Sequence, residues 1–73
     1  MNAIHNGVVH IRFEGRSIDI AVADLDFGRA AGDGEIKRAV AAYLDVATNR
    51  FNDYVVDRHE TGNLTIRPEA VFG

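Results

Sequence analysis

Three histidines are the first residues to consider, because imidazole titrates near neutral pH and is a common metal ligand. His5 and His10 are an odd number of positions apart, which on a strand would place them on opposite faces. A zinc site needs three or four converging ligands, and only an approach of His59 to His10, together with Asp19 or Glu60, would provide them. The simpler interpretation is three surface histidines, with His10 facing Asp19 across two strands. We therefore predict no metal site.

Carboxylates are the next candidates for chemistry, as Asp24 and Asp26 stand two apart and Asp53 and Asp57 flank a strand-like segment. General acid or base catalysis needs at least one carboxyl group whose pKa is displaced by burial or by a close charge. A chain of 73 residues has little volume for a closed pocket. We interpret these acids as solvated side chains, predict no catalytic residue, and expect that the chain is not an enzyme.

Residues 28–34 contain three glycines directly before a predicted helix, a composition that can hold a phosphate group. Their spacing matches no phosphate-binding fingerprint, and Asp26, Asp33 and Glu35 would repel an anion. The segment is better interpreted as a connection, and we predict no cofactor.

The segment around Tyr54 offers the best candidates for binding a partner. If Val55 points towards the core, then Tyr54 and Val56 lie on the open face of the sheet, near Arg58 and Arg67. Tyrosine and arginine are enriched at binding hot spots, so replacing Tyr54 or Arg58 with alanine should abolish association and leave the fold intact. The alternative is that Tyr54 and Val56 belong to the core and Val55 is a single exposed valine.

These side chains must be positioned by a small set of elements, and the first is a hairpin. Residues Val8 to Phe13 and Ser17 to Val22 both alternate apolar and polar side chains, the period of a strand with one buried face. Glu14 and Gly15 between them suit a two-residue turn. The predicted register pairs Phe13 with Arg16, Ile11 with Ile18, Val9 with Ile20, and His10 with Asp19.

An amphipathic helix and two more strands follow the hairpin. The helix is predicted from about Gly34 to Leu44 or Asp45, with Asp33 as its N-cap and a further short turn from Thr48 to Arg50. Its apolar stripe comprises Ile36, Ala39, Val40, Tyr43 and Leu44. The third and fourth strands are predicted at Tyr54 to Arg58 and at Leu64 to Arg67, with regular pairing ending near Pro68.

Length and composition predict one domain over residues 1–73, with a frayed N-terminus at 1–7 and a C-terminal tail at 68–73. The chain has no cysteine and carries a formal net charge of −3, with its arginines scattered among acids. This pattern lacks the concentrated positive charge of nucleic-acid-binding proteins. Since neither a secretory signal nor a long apolar run is visible, we expect a soluble cytoplasmic protein that binds no membrane and no nucleic acid.

The order strand–strand–helix–strand–strand predicts an α+β fold, with one helix packed on one face of a mixed four-stranded sheet. In the order and length of its elements, including the Asp33-Gly34-Glu35-Ile36 helix start, the chain resembles the ubiquitin-like β-grasp family. The resemblance implies that the first and last strands lie side by side and parallel at the centre of the sheet.

Two functions follow as hypotheses. The first is a small non-catalytic protein–protein interaction module that contacts another protein or itself through its sheet. The second, implied by the resemblance, is a carrier or modifier that acts through its C-terminal Gly73 after adenylation. Carriers of that family end in Gly-Gly, whereas here Phe72 precedes Gly73.

Overall fold

The computed structural model describes residues 7–27 and 31–69. Four strands and one helix follow the chain as β1 (Val8–Phe13), β2 (Arg16–Ala21), α1 (Asp33–Leu44), β3 (Tyr54–Arg58) and β4 (Leu64–Pro68). Short 3-10 turns at Val22–Asp24 and Thr48–Phe51 follow β2 and precede β3. No helix in this part of the chain has the length and apolar character needed to cross a membrane.

The strands form one mixed sheet in the order β2-β1-β4-β3. β1 pairs with β2 in antiparallel fashion, and β3 pairs with β4 in the same way. The two hairpins meet through parallel pairing of β1 and β4. The predicted fold class, a ββαββ arrangement of the β-grasp type, is therefore confirmed, including its parallel pair of central strands.

The β1–β2 hairpin has the register that the alternation predicts. Phe13 pairs with Arg16, so Glu14 and Gly15 form a two-residue turn. Both turn residues have positive φ, 54° at Glu14 and 77° at Gly15. Such a turn matches the right-handed twist of the strands, and glycine adopts its second position without steric strain. Correct register keeps the apolar residues of both strands on one face.

The hydrophobic core lies between that face and α1. The sheet contributes side chains that are nearly inaccessible to water, among them Val9, Ile11 and Ile66. The helix contributes Ile36 and Val40, and Phe51 enters fully buried from the end of the second 3-10 turn. We did not predict Phe51 as a core residue, because it lies in an irregular segment with no period to indicate its direction.

The orientation of the helix differs from the prediction at two positions. Ala41 is 1% exposed although it was not assigned to the apolar stripe, whereas Tyr43, which was, is 53% exposed. Successive helical residues are about 100° apart around the axis. A helix that is turned to bury Ala41 therefore places Tyr43 at the edge of its buried face. The short alanine side chain allows close packing, and Tyr43 remains about half exposed.

The start of α1 also differs from the prediction. Gly32 occupies the N-cap position and has no side chain with which to cap the helix, while Asp33 is the first helical residue. The carboxylate of Asp33 instead accepts a hydrogen bond from Arg58 at 2.7 Å. A charge-assisted contact with a guanidinium is stronger than a neutral hydrogen bond, and the negative charge still lies favourably in the first turn.

Both ends of the described chain are held by hydrogen bonds. Gly7 is buried, its carbonyl accepts from the Val22 N–H at 2.9 Å, and a Cβ at this position would clash with the Gly62 carbonyl. At the other end Pro68 belongs to β4, and the Glu69 N–H donates to the Asp53 carbonyl at 2.9 Å. Of the predicted frayed terminus and tail, the structure thus describes residues 7, 68 and 69, which lie in or beside the sheet. The rest of those two segments lies outside the described residues.

Candidate functional site

Two of the four predicted binding residues, Tyr54 and Val56, point towards the helix and not to the open face, the side of the sheet away from α1. Val56 pairs with the fully buried Ile66, and directly opposed residues share a face. The Tyr54 ring lies 5.0 Å from the Phe51 ring at an interplanar angle of 74°, and 6.1 Å from the Phe13 ring. The first interpretation of the sequence, an exposed Tyr54 and Val56, was therefore wrong, and the alternative that places both on the core side agrees with the structure, where a corner built by Phe51 draws Tyr54 inward.

Arg58 lies on the same side as Tyr54, and it connects β3 to the start of the helix. Its Nη2 donates to the Ala31 carbonyl at 3.1 Å and to the Asp33 carboxylate at 2.7 Å. Both partners precede it by more than 20 positions, so no local pattern indicates them. Arg58 therefore does not lie on the open face as predicted, although 47% of its side chain remains accessible.

Arg67 is the one candidate of the four that the structure places on the open face. It pairs across the strands with Val55, and its Nε donates to the Asp57 carboxylate at 2.8 Å. Val55 is half-buried on this same outer side, in agreement with the alternative interpretation of the sequence.

The remaining open face carries a polar row that crosses all four strands. Asp19, His10, Thr65 and Asp57 are successive cross-strand neighbours. His10 Nδ1 lies 2.8 Å from Asp19 Oδ1, as the predicted register required, and His59 Nε2 lies 2.8 Å from Thr65 Oγ1. Within residues 7–27 and 31–69, no group of three histidine, aspartate or glutamate side chains converges to hold a metal ion.

The other predicted clusters are placed as follows. Asp24 and Asp26 line a shallow, open groove of about 240 Å³ together with Leu25 and the exposed Tyr43. Asp57 is paired with Arg67, and the Asp53 carbonyl accepts from the N–H of Glu69, the residue after β4. Residues 28–30 of the glycine-containing connection lie outside the described residues, and so does Gly73, the residue of the carrier hypothesis.

The backbone of β3 has a feature that side-chain reasoning did not find. The His59 N–H donates to the Asn63 carbonyl at 3.0 Å, and the Glu69 N–H donates to the Asp53 carbonyl at 2.9 Å. In an antiparallel pair, hydrogen-bonded and non-bonded positions alternate. The odd-numbered residues 53, 55, 57 and 59 therefore bond to β4.

It follows that Tyr54, Val56 and Arg58 direct their backbone N–H and C=O groups away from β4, to the free side of the sheet. We call the backbone groups of these three residues the β3 edge. No backbone partner for them is present in the part of the chain that the structure describes. An unpaired row of this kind is a template for another strand. The same alternation of bonded and non-bonded positions, applied to the predicted pairing of the third and fourth strands, could have indicated this outward row from the sequence.

The opposite edge of the sheet is formed by β2. The Val22 N–H donates to the Gly7 carbonyl at 2.9 Å, so Gly7 and Val22 form a hydrogen-bonded pair. Because every second pair along the two strands is hydrogen-bonded, Ile11 and Ile18 also form such a pair. The outward backbone groups of β2 therefore belong to Ser17, Asp19 and Ala21, a set we call the β2 edge. The two edges differ in side chains, since Asp19 is at the centre of one and Val56 at the centre of the other.

The model of a protein family described as Protein ROH1-like matches residues 1–69, which include every described element. No curated protein and no solved structure shows significant similarity to the chain.

Proposed function

The chain belongs to the ROH1-like family; because that description names no activity, we propose from the geometry that it is a small non-catalytic protein-binding module with a ubiquitin-like β-grasp fold. Its binding site is the β3 edge, which accepts an extended segment of a partner as an added strand. Strand addition obtains affinity from main-chain hydrogen bonds and specificity from the flanking side chains.

The observation that carries this proposal is the outward row of donors and acceptors at Tyr54, Val56 and Arg58. Tyr54, Val55 and Val56 are only half-buried, so the edge is accessible to an incoming strand. Aromatic and β-branched residues also favour extended backbone. The central parallel pair of β1 and β4 supports the resemblance to the ubiquitin-like family.

The open face is a weaker candidate than the edge. Its charged groups already pair with one another, as Arg67 does with Asp57 and His10 with Asp19. Covering them with a partner would remove water from groups whose hydrogen bonds are already made, at a cost in desolvation. The same pairing supports a non-catalytic role, since these groups are engaged with each other.

The test blocks the β3 edge without disturbing the ladder between β3 and β4. Val56→Pro removes an outward N–H, and a 73-residue chain also allows chemical synthesis with only the Val56 amide N-methylated. Ser17→Pro is the control, because Ser17 also directs its backbone groups outward, but on β2. Each protein is immobilised, and the proteins it captures from a lysate of its native host are quantified by mass spectrometry.

We expect that specific partners of the unmodified chain are lost on Val56→Pro and on N-methylation, and are retained by Ser17→Pro. Circular dichroism confirms which variants fold. Capture that persists on the N-methylated chain would show that the β3 edge is not the binding site.

A further inference from the structure

We propose that the strand added at the β3 edge is the β3 of a second copy of this chain, antiparallel to the first and related to it by a two-fold axis at Val56. This inference rests on the proposed function of the β3 edge and specifies its occupant. An interface of this kind is isologous, so both copies use the same residues and the assembly closes as a dimer.

The direction of the backbone groups selects the register. Only every second residue of β3 points outward, so a hydrogen-bonded pair between copies must join two such residues. The register that uses all of them places Val56 opposite Val56 of the second copy, and Tyr54 opposite Arg58 of the second copy. Each such pair exchanges two hydrogen bonds. A shift of two residues leaves an outward residue without a partner.

The side chains are complementary in this register. Tyr54 faces Arg58 of the second copy on the helix side, and a guanidinium stacks well on an aromatic ring. On the open face, Val55 lies opposite Asp57 of the second copy and Asp53 opposite His59 of the second copy. No two like charges oppose each other, and the central contact is between two half-buried valines.

The β2 edge does not meet the same conditions. Its corresponding register uses Ser17, Asp19 and Ala21, and it places Asp19 directly opposite Asp19 of the second copy. Like charges at directly opposed positions destabilise a strand pair. Antiparallel pairing between a β2 edge and a β3 edge would place the two helices on opposite sides of the sheet, because the outward residues of the two strands lie on opposite faces. Parallel pairing keeps the helices on one side, but it joins two different edges and does not close into a dimer.

The resulting dimer has one continuous eight-stranded sheet, with both helices on the same side and the two copies of β2 as its outer edges. Asp19 on each outer edge opposes further growth, since a charged side chain on an exposed edge protects it from another strand. The β3 edge carries the attractive contact and the β2 edge ends the assembly.

Two substitutions at Val55 distinguish an effect on the stability of the dimer from an effect on the stability of the monomer fold. Val55→Asp places a carboxylate opposite Asp57 of the second copy, twice in each dimer because of the symmetry, while within its own sheet the new carboxylate faces Arg67. The change therefore favours the monomer fold and opposes the dimer. Val55→Lys has the opposite effect, because the ammonium group attracts Asp57 of the second copy across the interface and repels Arg67 within its own sheet.

The experiment is sedimentation equilibrium of the purified full-length chain over a range of concentrations, with no other protein present. We expect a dimer whose dissociation constant rises by about tenfold or more in Val55→Asp, as two like-charge contacts imply. Val55→Lys should leave the constant unchanged or lower it. Ser17→Asp, an added charge on the β2 edge, is the control and should have no effect.

Three results would overturn the inference: a wild-type chain that is monomeric up to millimolar concentration, equal weakening by Val55→Asp and Val55→Lys, or dissociation by Ser17→Asp. Failure of this inference is distinguishable from failure of the proposed function. If the purified chain is monomeric while blocking Val56 still abolishes capture of a different protein, the second copy is the wrong occupant and strand addition at the β3 edge stands.

Discussion

Individual residues of β3 have separate roles for their side chains and their backbones. The side chain of Tyr54 completes an aromatic corner with Phe13 and Phe51, whose ring centroids are 5.0 Å apart. The guanidinium of Arg50 covers the outer side of this corner, 5.2 Å from the Phe13 ring centroid. The backbone of Tyr54 points the other way, so one residue contributes its side chain to the core and its backbone to the β3 edge.

The aromatic corner predicts that Tyr54→Ala destabilises the fold, contrary to the expectation from sequence that it would leave folding intact. Loss of a fully buried ring costs about 3–5 kcal/mol, and Tyr54 is only half-buried, so we expect the free energy of unfolding to fall by about 2–3 kcal/mol. Urea denaturation of dilute protein, followed by circular dichroism, measures the change.

Tyr43→Ala is the control for this prediction, since Tyr43 is exposed and its replacement should change stability by no more than about 0.5 kcal/mol. Equal effects of the two substitutions would mean that the rings of the corner do not stabilise the fold.

At the level of elements, β3 is bonded on one side and has no backbone partner on the other among residues 7–27 and 31–69. Its bonded side continues into both flanking loops, through the contact of His59 with Asn63 and that of Glu69 with Asp53. Its C-terminal residue, Arg58, also connects the sheet to the start of α1. The strand is therefore held in place by these contacts on its bonded side.

Hydrogen exchange should distinguish the amides of β3 that bond to β4 from those that point outward. In dilute, monomeric protein we expect the amides of Val55 and Asp57 to be protected, because they donate to β4, and those of Tyr54 and Val56 to exchange rapidly. Nuclear magnetic resonance resolves each amide. Protected amides at Tyr54 and Val56 with rapid exchange at Val55 and Asp57, or equal exchange at all four, would contradict the bonding pattern derived for β3.

At the scale of the whole molecule, the main constraint is size. A domain of about 60 residues buries only about 60% of the surface that its unfolded chain exposes, and its stability is correspondingly marginal. With 73 residues and no cysteine, the chain relies on packing and hydrogen bonds. Pairing of two β3 edges would extend the sheet and add stability that depends on concentration.

The dimer therefore predicts that the melting temperature of the wild-type chain rises with protein concentration, because association stabilises the folded state by mass action. Val55→Asp should remove most of this dependence, and Ser17→Asp should preserve it. Differential scanning calorimetry at several concentrations provides the measurement. A melting temperature that is constant for the wild-type chain would count against self-association.

Local sequence determined much of this protein. The alternation of β1 and β2, together with Glu14-Gly15, predicted the hairpin and its register correctly, because short-range turn geometry and one buried face leave a single solution. The helix span was predicted to within about a residue at each end, and β3 was placed correctly along the chain. The order of elements also indicated the fold class.

Only the tertiary structure decided which way β3 faces. Its apolar residues occur at consecutive positions, so a period of two carries no information on which of them is buried. The corner formed by Phe13 and Phe51 and the contacts of Arg58 with Ala31 and Asp33 settle the choice. Such contacts join residues that are distant along the chain, and their energy is gained only when the whole sheet and helix come together.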